Sequence, residues 1–327
     1  MPPVPTTIAE IDLQGHWSQT RAGDPFLLSQ DDDIIIFVTD ANLQILSQSS
    51  ALFMDGTFKA APRLFTQLFT IHTVYRDHFV PLVYCLLPNK QRTTYYAALE
   101  TIKQKMADIH LLFNPDSVMS DFELGLINAL EMIFPNASLE GCYFHFTQCI
   151  WRRVQQSHLI TSFRDDDVIR SLVRRLMAVA FLPIVAIRPS FVSLQQEAET
   201  LNNANCNELL DYFQGTWLNG QFPLQLWNVH NRSTRTNNHI EGWHSKLNKS
   251  CRKLHPSVHE LVTVLQVEQG ETELTLRRAR LGAAPAPRRR KYRQCDERLD
   301  RLREQYTSGT LNSMDYINSI SHIVCNF

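Results

Sequence analysis

Apolar residues change their period along this chain. Between residues 34 and 87 they cluster in short β-rich blocks, and from about residue 93 they recur every third or fourth position. Ile34-Ile35-Ile36-Phe37-Val38 is rich in β-branched side chains and predicts a strand, followed by brief helical spacing at Leu43, Ile45 and Leu46. Strands are predicted again at 51–58, 65–75 and 78–87, the last two divided by the polar pair Arg76-Asp77. Pro88-Asn89 ends this run, and Tyr96, Leu99, Ile102 and Met106 predict a helix over 93–111. A short strand through Val118 and Met119 to Asp121 follows. Leu124, Ile127, Leu130 and Ile133 then predict a helix over 122–134, with a strand near 138–144 and a helix from about His145. The order predicts an α/β protein with a mixed sheet, its early strands hairpin-linked and helices on its faces.

From about 146 to 235 the strand signal disappears. Ile169, Leu172, Val173, Leu176 and Val179 carry helical spacing, with Pro183, Pro189 and a Gly/Pro-bearing stretch at 215–223 as punctuation. This region reads as an all-helical insertion. Long helices are predicted over 237–252 and 257–280. Pro285 and Pro287 in the following Ala/Pro segment cannot continue a helix, so a linker is expected before a short amphipathic tail. The expected layout is an N-terminal extension (1–33), a core (34–145), the insertion (146–235), the last core helices (236–281) and a basic linker with helical tail (282–327).

Composition and charge add further constraints. With 327 residues, 44% hydrophobic and 20% charged, the chain has the makeup of a globular protein rather than a disordered one. Seven Cys at 85, 142, 149, 206, 251, 295 and 325 form an odd, scattered set without a Cys-x-x-Cys framework, which favours a reducing compartment. No signal peptide or membrane-spanning run is read, and a soluble intracellular protein is expected. The net charge of −1 hides a segregation: residues 277–303 hold 11 Arg/Lys against 3 Asp/Glu, a local balance of +8 that leaves −9 for the remainder. Such a stretch attracts polyanions or stays a solvated tail. Within it, Arg288, Arg289, Arg290 and Lys291 read either as a nuclear localisation patch or as a DNA-backbone contact.

Three acids stand in polar, turn-like settings. Asp55 (in Met54-Asp55-Gly56) and Asp121 (in Ser120-Asp121-Phe122-Glu123) each end an apolar run, and Glu241 lies in a predicted first helical turn. Hard carboxylate oxygens suit Mg²⁺ or Mn²⁺, and those ions suit phosphoryl transfer. Each acid also has a plain structural reading. Asp55 suits a turn, Asp121 an N-cap, and Glu241 a favourable charge at a helix start. Helical spacing sets Glu241, His244, Ser245 and Asn248 on one polar face, beside an apolar one of Ile240, Trp243 and Leu247, with Asn237 or Asn238 as the cap. Glu123 is expected to face solvent or to support the site from behind. Cys142-x-x-His145 is half a zinc spacing, which His239 and His244 would complete only if the fold joins them; otherwise Cys142 is a buried Cys and His145 a structural or DNA-contacting His. Trp217, Trp227 and Trp243 are candidates for base stacking, with burial expected for the first two.

The phrases DGTFKAAPRLFTQLFTIH (55–72), VPLVYCLLPNKQRTTY (80–95), SDFELGLINAL (120–130), GCYFHF (141–146) and TNNHIEGWHSKLNK (236–249) together resemble the transposase domain of Mutator-like elements, a branch of the DDE transposases. The resemblance spans about residues 35–260. It implies a ribonuclease-H-like, five-stranded mixed sheet flanked by helices, with an all-helical insertion before the last catalytic helix. It further implies Asp55, Asp121 and Glu241 as catalytic metal ligands for two Mg²⁺ or Mn²⁺ ions. The expected reaction is cleavage of double-stranded DNA at transposon ends and strand transfer to target DNA, in the nucleus and by a homo-oligomer. Zn²⁺ at Cys142 and His145 remains a further option. Lys59, Lys90, Arg92 and Lys246 fall in or beside these phrases and are candidate phosphate contacts. No zinc-binding N-terminal recognition module of the kind related proteins carry is read. The alternatives are a domesticated, catalytically silent DNA-binding regulator and a metal nuclease without strand transfer.

Overall fold

Alternation along the early strands divides their side chains between two apolar layers, and this division builds the sheet. In the computed structural model, which describes residues 4–31, 33–285, 287 and 290–324, two compact units form: 1–140 with 237–285, and 141–236 with 286–327. In chain order the first unit contains β1 (Leu27–Asp31), β2 (Ile34–Phe37), α1 (Asp40–Ser47), β3 (Ala51–Thr57), β4 (Gln67–Tyr75), β5 (His78–Leu87), α2 (Arg92–Asp108), β6 (Ser117–Ser120), α3 (Leu124–Ile133) and β7 (Ser138–Gly141). The second unit supplies α4 (Tyr143–Gln156), α5 (Ile160–Asp165), α6 (Asp167–Ala178), α7 (Ile184–Thr200), α8 (Ala204–Phe213) and α9 (Leu224–Trp227). The chain returns to the first unit for α10 (Asn238–Ser250) and α11 (Val258–Arg280), and to the second for α12 (Arg290–Thr307) and α13 (Ser313–Val324).

The sheet has seven strands in the order β1-β2-β5-β4-β3-β6-β7, two more than the five expected. β3, β4 and β5 are antiparallel neighbours, and β6 runs parallel to β3. Arg76 and Asp77 make the two-residue β4–β5 turn, both with positive φ (47° and 65°), the backbone that a tight hairpin of this twist requires. β1 comes from the stretch read as an N-terminal extension. It is an edge strand with only half-buried or exposed residues, so its apolar pattern is faint.

Ile34, Ile36, Leu52, Met54, Phe69 and Ile71 face one layer, where α1, α2 and α3 pack through Leu43, Leu99, Ile102, Leu126 and Leu130. Ile35, Phe37, Leu68, Tyr84 and Leu86 face the other, against Leu247 of α10 and Leu261, Val262 and Leu265 of α11. Met54 belongs to the first layer, so its neighbour Asp55 points to the side of α10.

Among its described residues the second unit contains helices and no strand. Its centre is aromatic: Phe146 stacks on Trp227 at 5.1 Å and meets Trp217 edge-on at 4.7 Å, while Phe191 stacks on Phe213. Trp217 and Trp227 are thus buried core residues. No helix among the described residues is long and apolar enough to cross a membrane.

Candidate active site

Asp55, Asp121 and Glu241 all lie in the first unit, on three separate elements. Asp55 sits in β3, in register with Thr70 of β4, and is only 7% exposed. Its Oδ1 accepts the Gly56 N–H at 2.8 Å, and its Oδ2 faces the His244 Nδ1 at 3.7 Å. Asp121 follows the last residue of β6, whose partner strand is β3. Glu241 sits in the first turn of α10, where the Asn237 carbonyl accepts from Ile240 and Glu241 at the N-cap position. α10 lies against β3 through His244 and through Asn248, whose Nδ2 is 3.5 Å from the Thr57 hydroxyl.

The acids share one electrostatic neighbourhood. Burial, and after it the charges of Asp121 and Glu241, push the Asp55 carboxyl up to about 8 against the opposing Gly56 N–H and Lys90. Asp121 is raised to about 6 by burial and then by Glu123, with Lys90 opposing, and Glu241 to about 7 by burial. Raised carboxyls placed to feel one another are a set of hard oxygen donors with too little positive charge between them. A divalent cation fits that donor chemistry. Among the described residues, however, no three His, Cys, Asp or Glu side chains stand at ligating distance.

Behind these acids runs a supporting network. Glu123 is part-buried rather than solvent-facing: Lys90 Nζ pairs with its Oε2 at 2.5 Å and the Tyr95 hydroxyl donates to its Oε1 at 2.6 Å. Gln67 Nε2 in turn donates to Tyr95 at 2.5 Å, and Gly56 leaves room for that carboxamide, since a Cβ there would strike it. Glu123 also occupies the N-cap position of α3, so Asp121 does not take the cap place that its plain structural reading offered. The chain continues through Phe122 and Glu123 before the helix begins. A second group was not read from the sequence: the Thr70 hydroxyl lies 2.9 Å from His72 Nε2, 3.3 Å from His244 Nε2 and 3.3 Å from the Asp55 carbonyl. Its signal was present as two polar residues at i and i+2 on one face of an otherwise apolar strand.

The remaining candidates fall elsewhere. Lys246 pairs with Glu268 at 3.0 Å and with Glu271, which occupies its ammonium. Trp243 donates to Glu268 at 3.0 Å and packs on Tyr84 and His72, so it is a wedge under α10 rather than an open platform. Lys59 is exposed, and Lys90 also lies over the Phe58 ring at 4.4 Å. Cys142 is wholly buried at the N-cap of α4, and burial pushes His145, three residues on, down to about 4. In the first unit His239 stacks on Phe79 at 5.1 Å, and His244 faces Asp55. Arg290 and Lys291 open α12 and are exposed, whereas Arg288 and Arg289 lie outside the described residues.

Fold and site together define a mixed α/β unit that presents three carboxyls, one within β3, one just after β6 and one in the first turn of α10. Residues 51–149 match the family model of the MULE transposase domain, from β3 into α4, and over that segment the chain resembles a MULE transposase. The match takes in Asp55 and Asp121 and stops short of Glu241. It points to a transposase-related function with DNA as partner. No curated protein matches the chain significantly.

Proposed function

We propose that this chain is a DDE-type transposase catalytic domain that cleaves DNA strands at element ends and joins the freed 3′ ends to target DNA. The observation that carries this reading is the convergence of Asp55, Asp121 and Glu241, from three elements, into one charge-frustrated neighbourhood. The strand order β5-β4-β3-β6-β7 supports a ribonuclease-H-like core, with β1 and β2 added beyond β5. Asp55 would hold two Mg²⁺ or Mn²⁺ ions jointly, Asp121 one and Glu241 the other. Bound ions would supply Lewis acidity, activating a water or 3′-hydroxyl and offsetting charge on the leaving oxygen. The protein's own part is to fix the carboxylates and to keep them apart from solvent. The Gly56 N–H holds one Asp55 oxygen, and Lys90 and Glu123 hold the Asp121 loop close. Lys59, Arg290 and Lys291, with Arg288 and Arg289, are proposed DNA-backbone contacts; action in the nucleus and assembly as a homo-oligomer on paired DNA ends belong to the same reading.

Labelled terminal DNA incubated with the protein and Mg²⁺ or Mn²⁺ tests it. Joined product supports transposition, nicking without joining would replace it by a nuclease, and binding without nicking by a regulator. Asp55→Ala, Asp121→Ala and Glu241→Ala should each abolish nicking with the fold intact by circular dichroism. Full activity in any one variant removes that residue from the site.

A further inference from the structure

Six Lys and Arg residues lie in two short windows that contain no Asp or Glu: Lys59 and Arg63 in 56–66, and Lys246, Lys249, Arg252 and Lys253 in 245–257. Both windows belong to the first unit. The first follows β3 beyond Asp55, and the second carries α10 into the loop before α11. Distant in sequence, they meet through His255. Its backbone N–H donates to the Lys59 carbonyl at 2.9 Å, and its ring Nδ1 lies 2.9 Å from the Ala61 carbonyl. A carbonyl only accepts, so that ring nitrogen carries a hydrogen and donates it.

The clasp joins loops that are already fixed from below. Ala60 and Phe65 of the first window share an apolar layer with Leu247 and Cys251 of the second. Arg252 and His255 hold positive φ (59° and 50°), a backbone that non-glycine residues keep where surrounding contacts impose it. The two loops thus form one surface with a packed floor.

Charge on this surface is unbalanced. Lys246 pairs with Glu268 and Glu271, and Lys253 with Glu260 at 2.8 Å. Lys59, Arg63, Lys249 and Arg252 are exposed and make no ion pair among the described residues. Four like charges gathered without a counter-charge repel one another, and a polyanion removes that cost. The surface also lies in line with the acids. Glu241, Ser245 and Lys249 form one i, i+4, i+8 row on α10, which sets Lys249 about 12 Å along the helix from Glu241. Lys59 follows Asp55 by four residues, a reach of at most about 14 Å. Along one strand of a duplex, phosphates recur about every 3.4 Å of axis, so these spans correspond to about four base pairs.

We infer that the two loops clasped by His255 are a phosphate-binding surface, on which Lys59, Arg63, Lys249 and Arg252 hold the backbone of a DNA duplex about four base pairs from the scissile phosphate. The inference rests on the proposed cutting role of Asp55 and Glu241. To Lys59 it adds three contacts and the residue that places them. His255 is a positioning residue: it keeps the Lys59 loop against the loop of Lys249 and Arg252, so that one backbone can meet all four cations.

The test uses the full chain in EDTA, so that binding is read apart from cutting. Its probe is a fluorescein-labelled duplex of mixed sequence, about 20 base pairs long, followed by anisotropy from about 50 to 200 mM salt. Replacing Lys59, Arg63, Lys249 and Arg252 together by Ala should weaken binding and flatten the plot of log affinity against log salt by up to about 3.6 in slope. Lys249→Ala with Arg252→Ala, expected to remove up to about 1.8, serves should the four-site variant fail to fold. Lys105→Ala should leave the slope unchanged, because α2 packs on the opposite layer of the sheet. His255→Ala keeps all four cations and should weaken binding about threefold or more, through lost preorganisation. His255→Asn tolerates positive φ and offers a carboxamide N–H to Ala61, so it should stay within about twofold of wild type. An unchanged slope in the folded charge variants, a loss in Lys105→Ala as large as theirs, or His255→Asn as weak as His255→Ala overturns the inference and leaves the functional reading standing. A wild type that binds no duplex overturns the functional reading, and this surface falls with it.

Discussion

Asp55 is a carboxyl that the fold makes reluctant to ionise. Its ordinary value of 3.8 moves to about 8, that of Asp121 from 3.8 to about 6, and that of Glu241 from 4.5 to about 7. The unfolded chain releases these protons near pH 4, whereas the folded chain keeps them to higher pH. The folded state thus binds more protons across that window, and the stability this contributes is complete in acid and lost as pH rises from about 4 through about 8. Metal-free protein should accordingly melt at lower temperature at pH 8 than at pH 5.5. Asp55→Asn should flatten the profile and exceed wild type in Tm at pH 8, the expected exchange of function for stability at a charge-frustrated site. Mn²⁺ at pH 8 should raise the wild-type Tm by linkage and leave Asp55→Asn nearly unmoved. A wild-type Tm that climbs from pH 5.5 to 8 without metal would contradict this picture of the carboxyls.

Among the elements, α3 is the one whose seat governs the Asp121 loop. Gly125 in its first turn lets the helix approach the chain leading into α2 so closely that a Cβ would run into the Lys90 carbonyl oxygen. Backbone cannot rotate away, so Gly125→Ala should destabilise the protein by about 1–3 kcal/mol in urea unfolding. It should also reduce nicking per folded molecule, because Lys90 and Glu123 shift with the helix. Retention of both stability and activity would show that the approach is slack. The sequence conveyed most such elements because they bury one face: the strands at 34–37, 51–57, 67–75 and 78–87, and α2, α10 and α11, carry their periodicity plainly. It conveyed β1 poorly, since Leu-Leu-Ser-Gln-Asp on an open sheet edge has little alternation to read. Asp121 was offered as a cap because residue type alone cannot say which of several acids before a helix takes that position, and Glu123 does. Asp55 and Asp121 were readable as polar residues ending apolar runs, and Glu241 as an acid in a first helical turn. The network of Thr70, His72 and His244 was not, because it depends on α10 meeting β4 from 174 residues away.

At the scale of the whole molecule, charge is segregated along the chain: 277–303 carries +8 by count, within a net charge of −1. The tail's last two helices belong to the second unit, where Tyr316, Ile317 and Ile320 of α13 are buried and Arg235 pairs with Asp296 of α12. The tail is therefore folded structure over its described residues as well as a basic stretch. If Arg288, Arg289, Arg290 and Lys291 touch DNA phosphates, replacing all four by Ala should weaken binding. It should also reduce the slope of log affinity against log salt by up to about 3.6, at about 0.9 for each phosphate no longer neutralised. An unchanged slope would leave nuclear import as the use of that stretch.

On this reading three carboxyls distant in sequence make one divalent-ion site. Crystals grown without metal and soaked in Mn²⁺ test it most directly through the anomalous signal. Manganese density is expected among Asp55, Asp121 and Glu241, with their side chains meeting it. Density that forms only away from these acids, or that leaves Glu241 outside the coordination sphere, would contradict it.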